Sequence, residues 1–433
     1  MTMLPPDHPS RLALADEVHA RPPEPLGTPC RANYVAVLIA HEDRERERAQ
    51  IAALCVGHGV TPPAAGVTHF SAQLGPLRFK WERHGEFSGF TLYLPGLSPQ
   101  AFSEPATALL PDGWLAGLPG TTIVAVHAEL RPAPATALDA ATLGSDFNGN
   151  IVVGGEIGAG SGTVYTDFRI HADGFGRFVV CNRSFTERQA GRTLQRLFEI
   201  EAYRMMALLA LPIARQLATR IASIEKSLAE LTAHIAAEGG ADETLLQELT
   251  GLAAEIESGL STSQFRFGAC RAYHALVTTR IAELRESRIP GIQPIEEFMA
   301  RRLTPAVATC ATTSQRLHDL SERVAQASGL LSTRVDIARE RQNQALLASM
   351  DRRAKLQLRL QQTVEGLSVA AIVYYVAGLL GYLAKAGKAG GLHVEPDLLV
   401  GLAIPIVALV VIWSLRRARH RLHARDGIKD HEL

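Results

Sequence analysis

Cysteine is scarce and unpatterned in this chain. Its five cysteines, Cys30, Cys55, Cys181, Cys270 and Cys310, are odd in number and never form Cys-x-x-Cys. That argues against a disulfide framework and a zinc site, and leaves them the role of small apolar core residues. Net charge is absent too: 44 basic residues balance 44 acidic ones, so no global field would steer nucleic acid or an acidic substrate. The 15 histidines lack His-x-x-x-His and His-Glu-x-x-His spacing, so no metal site is indicated. No Gly-x-Ser-x-Gly elbow exists, and neither a catalytic residue nor a cofactor is expected. Met1-Thr-Met-Leu-Pro-Pro-Asp7 has no basic stretch leading into an apolar one, so no secretory signal is expected.

Charge is also missing from two long stretches, Gly366–Ala384 and Leu398–Leu415, which contain no Asp, Glu, Lys, Arg or His. As a helix the first extends roughly 28 Å, close to the ~30 Å hydrocarbon core of a bilayer, and the second is also long enough to span. A helix apolar on every side needs burial all round, and two neighbours bounded by charge fit lipid. Arg352, Arg353, Lys355 and Arg359 precede the first, while Arg416, Arg417, Arg419, Arg421, Arg425 and Lys429 follow the second. The loop 385–397 holds Lys385 and Lys388 against Glu395 and Asp397. The positive-inside rule then predicts both termini in the cytoplasm and the loop outside. The basic tail 416–433 either sets this topology or also touches anionic lipid headgroups.

The length implies two or three domains. Residues 1–185 read as an α+β cytoplasmic domain. Expected there are a short helix at Arg11–His19, a strand at Arg31–His41 and an amphipathic helix at Asp43–Gly57. Strands follow at Gly66–Leu74, Leu77–His84, Glu86–Leu94, Thr121–Leu130, Asn150–Ile157, Thr163–His171 and Gly176–Cys181, with a short helix near Phe102–Leu110. Ala172-Asp-Gly-Phe175 is a hairpin signal. Residues 186–365 take on helical spacing and are expected to form a helical bundle and stalk, with Pro212 kinking or ending the first helix and breaks at Gly239-Gly240, Gly259, Pro290-Gly291 and Gly329. Near the end of this region Leu347, Met350, Ala354 and Leu358 form one apolar stripe, and Leu356, Leu360, Val364 and Leu367 another. The interleaved amides Gln342, Asn343, Gln344, Gln357, Gln361 and Gln362 either fix the register of an interhelical seam or form a solvated face. Residues 366–415 then form a two-helix transmembrane hairpin (366–384 and 398–415).

Several motifs carry a resemblance. They are His8-Pro-Ser-Arg-Leu12, Glu17-Val-His-Ala-Arg-Pro22, Phe147-Asn-Gly-Asn150, Arg334-Val-Asp-Ile-Ala-Arg339, Gln342-Asn343, Ser349-Met-Asp-Arg-Arg353, and Thr363-Val-Glu-Gly-Leu-Ser-Val369 with Tyr374-Tyr375. Together they resemble a bacterial family of predicted membrane-anchored proteins of unknown function, over nearly the whole chain. The resemblance implies an inner-membrane protein with the loop 385–397 in the periplasm, and implies no activity. The order of parts is also similar to CorA-type magnesium channels, which place an α+β domain, a stalk helix and two C-terminal spans in that order. That similarity implies an ion channel or transporter as the alternative function. The Gly-Met-Asn of those channels is missing, however. The corresponding stretch reads Gly381-Tyr-Leu-Ala-Lys385, and Lys385 at an outer mouth would repel a divalent cation.

Three local features remain. Gly154-Gly-Glu-Ile-Gly-Ala-Gly-Ser-Gly-Thr163 lacks the Lys of a phosphate loop and precedes a strand rather than a helix, so a turn between strands is expected. Glu17, His19 and Arg21 form a candidate ligand cluster, or cap the last carbonyls of a helix. Tyr374, Ala377, Gly378 and Gly381 are candidates for span packing or pore lining, because small residues let helices approach closely. Asn148 and Asn150 around Gly149 are expected in a turn. The reading is a non-enzymatic, homo-oligomeric protein of the lipid bilayer, with no nucleic-acid partner and an unassigned small-molecule or ion ligand, whose cytoplasmic part senses or scaffolds.

Overall fold

The computed structural model describes residues 5–12, 14–15, 22–134, 138, 140–237, 242–389 and 395–426. The expected apolar strand appears as β1 (Cys30–Leu38), buried along nearly all its length, as a strand covered on both faces must be. The other strands are β2 (His69–Leu74), β3 (Leu77–Arg83), β4 (Phe87–Pro95), β5 (Thr121–Pro132), β6 (Val153–Ile157), β7 (Gly162–Thr166) and β8 (Gly176–Asn182). They form one sheet in the order β2-β3-β4-β1-β5-β8-β7-β6. Only the β5–β8 pair is parallel.

The helices are α1 (Arg44–Gly57), α2 (Ala140–Asp146), α3 (Glu187–Leu208), α4 (Ala210–Ala236), α5 (Asp242–Leu284), α6 (Ile295–Arg302), α7 (Thr304–Ala389) and α8 (Pro396–Asp426), with 3-10 turns at His41–Asp43 and at Ala106–Leu109, the latter in place of the expected short helix. Thr186 and Gln189 cap α3 reciprocally, satisfying two of its orphan N–H donors.

Period-two alternation sends side chains of the central strands to two cores. Ala32, Tyr34 and Ala36 of β1, Val126, Ala128 and Leu130 of β5, and Phe178 and Val180 of β8 join Leu194, Leu197, Phe198 and Ile200 of α3 and Val277, Ile281 and Leu284 of α5. Tyr34 stacks on Phe198 with centroids 5.1 Å apart. On the opposite face Val35 and Val37 pack with Ile51 and Leu54 of α1 and with Phe79, Trp81, Phe90 and Trp114.

Some expected boundaries move. The strand expected over Thr163–His171 stops at Thr166, because Phe168 takes φ = 52°, which extended backbone cannot accommodate. Pro212 sits in the first turn of α4, and the chain breaks just before it, at Leu209. Gly259 and Gly329 do not break helices: α5 runs through the first and α7 through the second. A helical glycine costs only about 1 kcal/mol relative to alanine, and Gly259 is where Leu317 packs, 3.0 Å from the position a Cβ would take. The stretch Gly366–Ala384 is part of α7 without a break, and Leu398–Leu415 lies within α8. The expected loop 385–397 is therefore helical at both ends.

The chain forms two compact units, Met1–Leu330 and Leu331–Leu433. The first contains the sheet and α1–α6 with the start of α7. The second contains the rest of α7 and all of α8.

Candidate functional site

In the second unit the sequence lacks charge where the helices are longest, and the structure leaves those stretches open. Two helices are long and apolar enough to cross a membrane, and 6% of the first apolar window and 0% of the second is buried within the fold. A core helix of that composition would be mostly buried. Leu379, Leu383, Leu398, Leu402, Ile406 and Leu409 are all exposed.

The four residues singled out in the first stretch divide. Ala377 is buried, and one turn on Gly381 meets α8, with Val400 Cγ2 3.3 Å from the position of an added Cβ. Gly378 has open space around it. Tyr374 is exposed, edge-on to Tyr375 at 5.8 Å. Lys388 pairs with Glu395 at 3.1 Å. The basic residues Arg416, Arg417, Arg419 and Arg421 fall on α8. The guanidinium of Arg417 lies 5.0 Å from the Trp413 ring centroid, a cation–π distance. The Arg416, Arg419 and Arg421 side chains, and the cluster Glu17, His19 and Arg21, lie outside the described residues.

The first unit holds a polar centre that the sequence did not announce. On β5 the residues between the apolar ones are His127, Glu129 and Arg131, which share the opposite face. Strand register extends the row: Asn33 of β1 is opposite His127, and His127 is beside Arg177 of β8. Asn33 hydrogen-bonds His127 and accepts from the Thr107 N–H at 3.1 Å. Glu129 accepts from the Phe102 N–H at 2.9 Å and from Arg131 at 2.7 Å. Arg131 also donates to Asp146 at 2.7 Å. Arg177 donates to the Asp146 carbonyl at 2.8 Å, and its guanidinium stands 5.1 Å from the Phe102 ring centroid. The His127 ring stacks on Phe175 at 3.9 Å.

Burial lowers the His127 pKa to about 4; Asp173 works against this, while Arg177 and His171 add to it. His127 is therefore neutral near pH 7. For Arg131 burial opposes the charged form, but its hydrogen bonds to Asp146 and Glu129, with the charges of those carboxylates, outweigh it and raise the pKa.

Phe147-Asn-Gly-Asn150 borders this centre. It forms the expected turn, with φ = 52° at Asn148 and 75° at Gly149, and does more. Asn150 Nδ2 donates to Asp167 at 2.8 Å, Asn148 Nδ2 lies 3.2 Å from His171 Nδ1, and His171 Nε2 lies 2.9 Å from Asp167. Within the glycine-rich 154–163 segment, residues 158–161 form the expected turn, and the rest belongs to β6 and β7. Gly158 and Gly162 make room for the Phe185 ring, which stands 2.5 Å from where each Cβ would be. Among the described residues no group of three or more His, Cys, Asp or Glu could hold a metal ion.

Several cavities open in this unit. One of about 380 Å³ lies between Glu156, Tyr165, Arg183 and Arg288. One of about 580 Å³ lies among Glu24, Thr28, Arg78 and Tyr93. A smaller one, about 160 Å³, lies against β5 with Phe168, Glu201, Arg204 and Met205.

The chain belongs to the family described as protein of unknown function (DUF3422), which it matches over residues 6–422. No curated protein matches it, and no solved structure does.

Proposed function

We propose that this chain is a membrane-anchored protein of the bacterial cytoplasmic membrane. In this reading α7 and α8 form a hairpin in lipid, with both termini and the sheet-containing unit in the cytoplasm. The observation that carries it is the exposure of two charge-free helical stretches. In water each fully exposed Leu or Ile forgoes about 1.5–3 kcal/mol of burial, and lipid supplies that burial along the whole stretch. The close approach of Gly381 to Val400 supports the hairpin, since small residues let lipid-embedded helices pack. The Arg-rich flanks support the orientation.

The role proposed for the cytoplasmic unit is sensing or scaffolding without catalysis. The ionisable groups of its buried centre engage one another, and the opening lined by Asn33, His127 and Glu129 is about 10 Å³, room for one water. Self-association is part of the proposal. Leu346, Leu347, Met350, Leu356, Leu358, Leu360 and Val364 are exposed on α7 ahead of the lipid stretch, and a second copy of the chain would cover them.

Membrane fractionation with an alkaline carbonate wash tests the anchor. The full-length chain should remain in the pellet and leave it only with detergent. A Val410→Arg, Ile372→Arg double variant should reduce that retention. Recovery of the unaltered chain in the carbonate supernatant would end the reading. A reporter at the N-terminus that proves periplasmic would overturn the orientation alone.

A further inference from the structure

We propose that the cavity beside β5 binds a small monocarboxylate whose apolar part is no larger than a benzene ring. The argument starts from the sheet. β8 joins β5 only from Val126, opposite Gly176, so Thr121–Ala125 have no strand partner on that side among the described residues. The cavity of about 160 Å³ lies there, lined by Thr122–Val126, by Phe168, Arg169 and Ile170, and by Glu201, Arg204 and Met205 of α3. The unpaired half-edge brings backbone N–H and C=O groups to its wall.

Charge comes from α3. Arg204 donates to Glu201 at 2.5 Å, yet its Nε is buried without a hydrogen-bond partner. A buried donor left unpaired is costly, and a ligand oxygen removes that cost. Guanidinium presents parallel N–H groups that suit a carboxylate. Arg177 and Arg169 also line the cavity; the Arg177 guanidinium is engaged by the Asp146 carbonyl and the Phe102 ring, and Glu201 balances Arg204, so the positive charge left for a ligand is that of Arg169, exposed at the rim. This balance suits a monoanion better than an inorganic phosphate dianion.

Phe168 and Met205 give the wall an apolar part, and Phe168 is fixed in place. Arg204 lies 5.4 Å from the Phe168 ring centroid, and that ring stacks on Phe298 at 4.9 Å. Phe168 holds φ = 52°, a strained conformation for an aromatic residue. Thr166 Oγ1 accepts from its N–H at 3.2 Å, and Asp167 accepts from the next N–H at 3.1 Å. Strain held this firmly beside a cavity marks a preorganised wall. A cavity of ~150 Å³ takes one benzene, which sets the ligand's size. The inference concerns Met1–Leu330 by itself and does not depend on where the apolar helices lie.

Calorimetric titration of the full-length protein in detergent tests it. The probes are isovalerate and benzoate, their neutral amides isovaleramide and benzamide, and inorganic phosphate. The acids should bind at least tenfold more tightly than the amides. Arg204→Gln should weaken the acids at least tenfold and Arg169→Gln a few-fold. Should Arg204→Gln fail to fold, by circular dichroism and gel filtration, the acid–amide pair and Arg169→Gln decide. Amides binding as well as acids, phosphate binding better than either acid, no probe binding at millimolar concentration, or a folded Arg204→Gln of unchanged affinity would each overturn the proposal.

Discussion

The carboxylate of Asp167 and the imidazole of His171 face each other at 2.9 Å, and their side chains are 0% and 2% exposed. Asn150 and the Arg169 N–H supply further donors to the same carboxylate. Asp167→Ala removes the acceptor shared by Asn150 and the Arg169 N–H, and each buried donor left unpaired costs about 1–3 kcal/mol. Its loss in denaturant unfolding should therefore exceed that of a single bond. Asn150→Ala, which removes one neutral donor, should cost about 1–3 kcal/mol. Equal losses for the two would show that the shared carboxylate is not the dominant element.

His127 makes stability depend on pH. Its pKa is about 4 in the fold against 6.5 for the free side chain. Above pH 6.5 both states are neutral and the full stability is present. Between 6.5 and 4 the unfolded chain takes up a proton that the folded chain refuses, so stability falls as pH falls. The loss attributable to this residue should be about 2 kcal/mol at pH 5, at 1.36 kcal/mol per pKa unit. The drop in urea midpoint from pH 7.5 to 5 should shrink in His127→Gln. An unchanged slope would assign the acid sensitivity elsewhere.

Two helical glycines should respond in opposite directions. An added Cβ at Gly191 of α3 would lie 1.7 Å from the Glu24 carbonyl oxygen, whereas at Gly251 of α5 nothing lies within 4 Å. Gly191→Ala forces backbone apart and should destabilise by at least the ~1–3 kcal/mol of overpacking. Gly251→Ala should stabilise by roughly 0.5–1 kcal/mol, the intrinsic helix preference for alanine. Thermal unfolding of the two variants side by side checks both signs.

These sites show what the sequence discloses. β1, β3, β4 and α1 were legible because each is a continuous apolar or amphipathic run bounded by turn residues, and their ends fall within a few positions of expectation. Gly259 and Gly329 misled because glycine lowers helix preference without forbidding it, and the packing that rescues Gly259 comes from Leu317, 58 positions away in the sequence. The polar centre was illegible for a related reason. Asn33 and His127 are 94 residues apart, and only strand register brings them together. The alternation His127, Glu129, Arg131 was present in the sequence, but it reads as a solvated strand face until the loop carrying Phe102 and Thr107 is known to cover it. Asn148 and Asn150 were recognised as turn residues, and their bonds to His171 and Asp167 depend on a segment some 20 positions on.

Self-association of α7 can be read with a single introduced thiol, because all five native cysteines are buried. Leu360 lies on one apolar stripe of the helix and is exposed. Arg359 is offset from it by about 100° around the axis and belongs to neither stripe. If two copies meet along the Leu356, Leu360, Val364 and Leu367 face, Leu360→Cys in native membranes should be linked by a short bis-maleimide into a species of twice the chain mass. Arg359→Cys should be linked far less. Each chain then carries one accessible thiol, so the linked product is a dimer whatever the assembly, and the native mass of the detergent-extracted complex counts subunits: five would favour the channel-like alternative, and two a simple dimer. Monomer alone at both positions would remove self-association along this face, while the proposed membrane anchor, which rests on the exposure of two charge-free helical stretches, needs no second copy.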